Sequence, residues 1–230
     1  RRQIMKRFQN SGNRYFPAHT DRLFFLCGLL MLGSEIWKQL TLTFQLGRGQ
    51  YNWWYFPFQL CSIPMYILLV YPWIRRERIR HVLLTFLMCY SLLGGIAVFA
   101  DTSGLHYSLP SLTLHSYLWH ILLILLGIFS GTVCIKSFGN RSALRAFAGS
   151  TGLYLLCCLA AEIMNLSFDR LGTINMFYIN PDYRMQQIIF HNLSFLIGNL
   201  PAIFLYIATT ILGAFLLFLA WMLFARFFKH

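Results

Sequence analysis

The chain is 230 residues long, 57% hydrophobic and only 11% charged. A soluble domain carries about 25% charged residues, so this chain cannot cover a water-facing surface, and it is far too apolar to stay disordered. Nineteen basic residues against seven acidic give a net charge of +12; in so apolar a chain this is read as membrane topology, and a nucleic-acid partner is excluded.

A helix needs about 20 apolar residues to cross a bilayer core. Six stretches qualify: 23–44, 53–74, 82–100, 111–135, 144–168 and 201–225. The fold predicted is therefore all-α, a polytopic membrane protein with a six-helix transmembrane bundle over 22–230 and a basic segment over 1–21. The first stretch is too long for the apolar core of a signal peptide and has no small-residue cleavage site, so it is expected to span. Arg1, Arg2, Lys6, Arg7, Arg14 and Arg22, the RRERIR run at 75–80, Lys136 with Arg141, and Arg226 with Lys229 all fall on one side of a six-span arrangement. The positive-inside rule puts that side, and both termini, in the cytoplasm. Residues 4–16 mix basic and apolar side chains, as a surface-lying helix does; a disordered basic tail fits equally. The link over 169–200 has two apolar runs split by His191 and Asn192, which predicts a lid or a re-entrant segment over the outer face.

Ionisable groups inside a membrane are costly and tend to mark function. Here they share a depth. Glu35, Lys38 and Gln39 lie in the outer half of span one, Gln59 and Cys61 in that of span two, His115 and His120 in that of span four, and Glu162 and Asn165 near the outer end of span five. Scattered helix-to-helix glue would spread over both halves; one level predicts one site. Glu35 is i,i+3 from Lys38 and i,i+4 from Gln39, so the three share a helix face. His115 and His120 are about 140° apart on a helix that turns roughly 100° per residue, which argues against a metal clamp on that helix. None of the six cysteines has zinc-ligand spacing, and no metal site is expected.

Cys61 stands apart from the other cysteines. In FPFQLCSIP (56–64), Pro57 and Pro64 bracket it, and proline frees helix carbonyls that neighbours must satisfy. A thiol at site depth with a histidine near it is a candidate nucleophile–base pair. At about 1.5 Å per residue, His115 and His120 lie roughly 6 and 14 Å into their span and Cys61 roughly 12 Å into its own, so depth does not choose between them.

Four motifs, LGSEIWK (32–38), FPFQLCSI (56–63), LHSYLWHILL (114–123) and NLSFDRLGTINMFYINPDY (165–183), occur in an order and spacing that resembles the bacterial YwaF-like integral membrane proteins. More distantly the chain is similar to the eukaryotic transmembrane protein 164 family of lysophospholipid acyltransferases. The resemblance implies a bacterial plasma-membrane protein whose Cys61 is the nucleophile and whose His120 is the base. It matches Glu35 and Asn175 to site positions, while Gln59 stands where the bacterial relatives often carry histidine. The function so implied is thioester-mediated acyl transfer on a membrane lipid, with no cofactor. Lys38, Gln59, His115, Glu162, Asn165 and Asn175 join Glu35 as candidate substrate-binding residues. The alternative is a membrane binding or transport protein for a small polar or amphiphilic solute, in which the same groups hold a ligand without chemistry.

Overall fold

A computed structural model describes residues 18–137 and 140–227; the basic segment over 4–16 lies outside the described residues. The architecture is an all-helical, multi-pass membrane bundle. The first helix, α1 (Ala18–Leu40), is prolonged by a π turn, Thr41–Leu46. It starts earlier than the hydropathy pattern predicts, so Asp21 falls in its first turn, where a carboxylate suits the helix dipole. After a turn through Arg48 and Gly49, both with positive φ, the chain makes a 3-10 turn, Trp53–Tyr55, and runs irregularly over 56–62 to the short α2 (Ile63–Val70) and a second 3-10 turn, Tyr71–Trp73. The third crossing, α3 (Glu77–Ala100), contains a π segment at Leu87–Ser91. Helices α4 (Pro110–Ser137) and α5 (Asn140–Phe168) follow. The short α6 (Ile188–Ile197) precedes the last crossing, α7 (Asn199–Phe227).

Among the described residues, five helices are long and apolar enough to cross a membrane: α1 with its π turn, α3, α4, α5 and α7. The second crossing differs from the continuous helix predicted over 53–74. Only its second half is α-helical, the first half holding one 3-10 turn and irregular backbone, because Pro57 and Pro64 both interrupt the ladder that a continuous helix there would need. The segment nevertheless runs the length of α1. The Tyr55 carbonyl accepts the Gln39 amide at 2.7 Å, and Tyr71 meets Phe24 edge-on with centroids 5.1 Å apart. Those two contacts lie about 22 Å apart along α1 at a helical rise of 1.5 Å per residue.

Helix α3 is the centre of the bundle: 61% of its most apolar window is buried, against 22% to 39% for the other four. Around it, small residues let helices approach closely, as they do where lipid supplies no hydrophobic drive. A Cβ at Gly95 would sit 3.2 Å from the His120 carbonyl, and one at Gly127 would sit 2.7 Å from the Leu92 Cβ. Gly28 is the glycine of GLLMLG that serves a close contact: a Cβ there would lie 3.0 Å from the Leu69 backbone nitrogen, whereas Gly33 faces open space. Phe86, Tyr90 and Tyr154 stack at 5.2 and 4.9 Å, and the Tyr90 hydroxyl donates to Thr151 at 2.8 Å.

At the basic end of the bundle, Asp21 and Arg80 form a buried ion pair. The Arg80 guanidinium also lies over the Tyr71 ring, 4.2 Å from its centroid. This pair joins the start of α1 to the start of α3 and returns the RRERIR run to the end where α1 begins.

Candidate functional site around the broken second crossing

Backbone without helix or sheet is tolerated at membrane depth only where protein buries it or where it lines a cavity. Residues 56–62 meet this condition through side chains from other elements. Beyond the Tyr55 carbonyl held by Gln39, the Pro57 carbonyl accepts the Tyr66 hydroxyl at 2.8 Å and the Cys61 carbonyl accepts the Trp119 indole N–H at 3.0 Å. Gln59 donates to the Asn175 carbonyl at 2.9 Å. Thus α1, α2, α4 and the link after α5 all converge on the break.

The charged part of the site comes from α1. Glu35, 3% exposed, accepts from Lys38 at 2.9 Å and from Gln39 at 2.6 Å. The i,i+3 and i,i+4 spacing read from sequence is realised as one contact set. Toward the far end, Tyr51 feels the same carboxylate: burial first and the Glu35 charge second push its phenol up to about 12. It therefore remains a neutral hydrogen-bonding group at physiological pH.

His115 reaches toward α1 from α4. Its ring lies 5.7 Å from that of Trp37 and 5.6 Å from that of Trp119, and neither of its buried ring nitrogens has a hydrogen-bond partner. His120 is on the opposite edge of the same buried stripe, beside α3. Its Nδ1 lies 2.8 Å from the Ser116 carbonyl. A carbonyl only accepts, so Nδ1 carries the proton and Nε2 is left with its lone pair. No hydrogen bond joins the Cys61 thiol to either histidine; the contact that α4 makes with Cys61 runs through Trp119 and the backbone.

Glu162 and Asn165 occupy the end of α5 and act on the link that follows it. The Asn165 amide donates to Glu162 at 3.2 Å and to the Met176 carbonyl at 3.3 Å, and its oxygen accepts the Met176 N–H at 2.7 Å. Two further asparagines knit the same loop. The Asn175 oxygen accepts the Asn180 N–H at 3.0 Å, and the Asn180 side chain donates to the Ile174 carbonyl at 2.9 Å. So fastened, Phe177 and Tyr178 hold φ of 56° and 57°, left-handed values that cost a bulky residue about 1–3 kcal/mol each and persist only where the surroundings over-determine them. The Phe177 ring lies against Phe58 at 5.8 Å and Tyr154 at 6.1 Å. Burial pushes the Tyr178 phenol up to about 12. The loop over 174–180 is therefore packed into the bundle beside Gln59.

Removing the Asn165 clamp has a defined expected result. Asn165→Ala deletes three hydrogen bonds and leaves the Met176 N–H buried without a partner, costing about 1–3 kcal/mol for the orphaned group. Hydrogen–deuterium exchange should rise selectively over residues 174–180, while the α3–α4 contact stays protected. Unchanged exchange there would mean that Asn165 does not hold the loop.

Several polar atoms around the break lack partners: Gln39 Oε1, Gln59 Oε1, Asn175 Nδ2 and both His115 nitrogens. Buried groups left unpaired cost free energy unless a ligand or water completes them. Among the described residues no three or more His, Cys, Asp or Glu side chains converge as metal ligands do. Sequence reasoning missed Trp119 and Asn180, although both lie inside motifs it singled out. An indole within a polar-flanked stretch, and a second asparagine five residues after Asn175, were the available signals. Comparison with protein-family models, curated proteins and solved structures finds no match to this chain, so the functional argument rests on the residues themselves.

Proposed function

We propose that this chain is a lipid acyltransferase of the bacterial cell membrane, akin to the YwaF-like proteins, with Cys61 as the acyl carrier in the leaflet away from the basic end. The observation that supports this most is the position of Cys61 at a proline-bracketed break, whose entry Gln39 ties to the Glu35–Lys38 pair and around which a set of polar atoms lack partners. An acyl chain reaching such a site never leaves the bilayer. The Cys61 thiolate attacks the ester carbonyl of a donor lipid, the carbon–sulfur bond forms, and the ester carbon–oxygen bond breaks. The thiol proton passes to His120 Nε2 and from there to the departing alkoxide. In the second half an acceptor hydroxyl loses its proton to the same nitrogen and attacks the thioester, returning the thiolate. His120 meets the tautomer requirement through its Nδ1 bond to Ser116. In this reading the Cys61 thiol and His120 Nε2 come together on substrate binding, as is common when catalytic contacts tighten only in the complex. Asn175 Nδ2 and Lys38 are the donors available to a developing oxyanion or a lipid phosphate, and the part of the 169–200 link that packs beside Gln59, residues 174–180, acts as the lid.

A second reading is favoured by the absence of a hydrogen bond between Cys61 and either histidine: the same polar set binds a small polar or amphiphilic solute without chemistry. Cys61→Ser decides between them. Lipid mass spectrometry of membranes carrying wild-type protein should show altered acyl composition, and a hydroxylamine-labile acyl adduct should map to Cys61. Both should vanish in Cys61→Ser if acyl transfer is the activity. Cys61→Ser protein that retains the full lipid change, with no adduct on the wild type, would sink the acyl-transfer reading and favour the binding protein.

A further inference from the structure

Outside the site, the most exposed apolar surface near the far end belongs to α6. Ile188 and Ile189 are 58% and 66% exposed, and Phe195 and Leu196 are 64% and 81%. A helix of ten residues spans about 15 Å and cannot cross a bilayer core of about 30 Å. Gly198, at φ 90°, turns the chain directly into α7. The Phe190 and Tyr206 rings, each eight residues from that glycine, meet at 5.3 Å, so α6 folds back toward α7. Asn199 ties the hairpin to the far-end link by donating to the carbonyls of Pro181 and Tyr183 at 2.8 and 3.0 Å. The exposed face continues onto α7 through Leu200 and Phe204, 54% and 63% exposed, and α7 is one of the spanning helices. At its edge the Arg184 guanidinium lies 3.9 Å from the Phe195 ring centroid, and Arg184 has no carboxylate partner among the described residues.

We propose that α6 is embedded in the far leaflet as a half-membrane arm, with Ile188, Ile189 and Leu196 against acyl chains and Arg184 paired with the phosphate of an anionic phospholipid. Continuity with the lipid-facing side of α7 identifies the acyl layer as what covers the arm. The unpaired guanidinium beside it supplies the charge that a phosphate complements. The assignment does not depend on what happens at Cys61.

The test uses the full chain reconstituted in vesicles of phosphatidylcholine and phosphatidylglycerol. Leu196→Cys is exposed to a membrane-impermeant maleimide, with Gly104→Cys in the solvent-facing loop as the accessible control. Leu196→Cys should stay unlabelled until detergent is added, while Gly104→Cys labels at once. The phosphatidylglycerol retained on native mass spectrometry should fall in Arg184→Glu. Labelling of Leu196→Cys at the control rate places the arm in water and overturns the proposal. Protection accompanied by an intermolecular disulfide between two Leu196→Cys chains also overturns it, in favour of a second copy. Unchanged phosphatidylglycerol retention in Arg184→Glu overturns the headgroup pairing.

Discussion

Glu35→Ala is expected to destabilise the protein by about 3–5 kcal/mol, the usual cost of leaving one member of a buried ion pair behind. Glu35 is 3% exposed and is, among the described residues, the only carboxylate bonded to the Lys38 ammonium, whose side chain is 16% exposed. The loss also strips an acceptor from Gln39, which bridges Glu35 and the Tyr55 carbonyl. The second crossing should therefore loosen at its entry as α1 loses its charge balance. Thermal melting of the detergent-solubilised protein reads the effect. Glu35→Gln keeps an acceptor for Gln39 but not the charge, so it should fall between wild type and Glu35→Ala. The double variant Glu35→Leu, Lys38→Met removes both charges together and should recover most of the lost stability, because paired apolar replacement avoids an orphaned ion. If Glu35→Ala melts like the wild type, the pair is hydrated and does not organise the site.

Gly131→Leu is the second large effect. A Cβ at this position would sit 2.3 Å from Trp221 Cζ2 and 2.5 Å from two more atoms of the same ring, inside any permissible contact. Trp221 cannot swing aside without cost, since its indole N–H donates to the Met88 carbonyl at 3.2 Å. That carbonyl belongs to the π segment of α3, where i→i+5 winding leaves backbone groups that need outside partners. Overpacking of this kind costs about 1–3 kcal/mol and more where the backbone must shift. Gly131→Leu should thus give little folded protein on size-exclusion chromatography, with recovery in Gly131→Leu, Trp221→Ala. Well-folded single-variant protein would show that the indole is not locked in the slot.

The helical architecture was legible because five crossings carry long, predominantly apolar runs, and hydropathy reads such runs directly. The second crossing was not, although both its prolines were visible. Its residues are mostly apolar, as in the other crossings, and what distinguishes it is supplied by Gln39, Tyr66, Trp119 and the link carrying Asn175. Three of those contacts come from more than nine residues away, Trp119 from 58. The Asp21–Arg80 pair, 59 residues apart, was hidden for the same reason, and the early start of α1 hid it further. At the site, helix spacing gave the Glu35, Lys38 and Gln39 set, since i,i+3 and i,i+4 geometry is local. It could not show that Asn165 spends both ends of its amide on Met176, because that bond follows from where a loop returns. Shared depth is a one-dimensional measure; which way His115 and His120 face is set by the packing of α4 on α1 and α3.

The broken second crossing also governs how the protein enters the membrane. Its helical part, Ile63–Trp73, covers about 16 Å, roughly half the hydrocarbon thickness, and the preceding residues carry bare carbonyls that lipid cannot solvate. Such a segment does not partition as an independent hairpin partner of α1 during synthesis. The Trp119 indole that satisfies the Cys61 carbonyl is made 58 residues later, and the Asn175 carbonyl that holds Gln59 is made 116 residues later. Until α4 and the α5 link have emerged, residues 56–62 must wait in a hydrated or insertase-shielded setting. The same break thus makes the closure of the second crossing depend on residues that emerge only with α4 and with the link after α5.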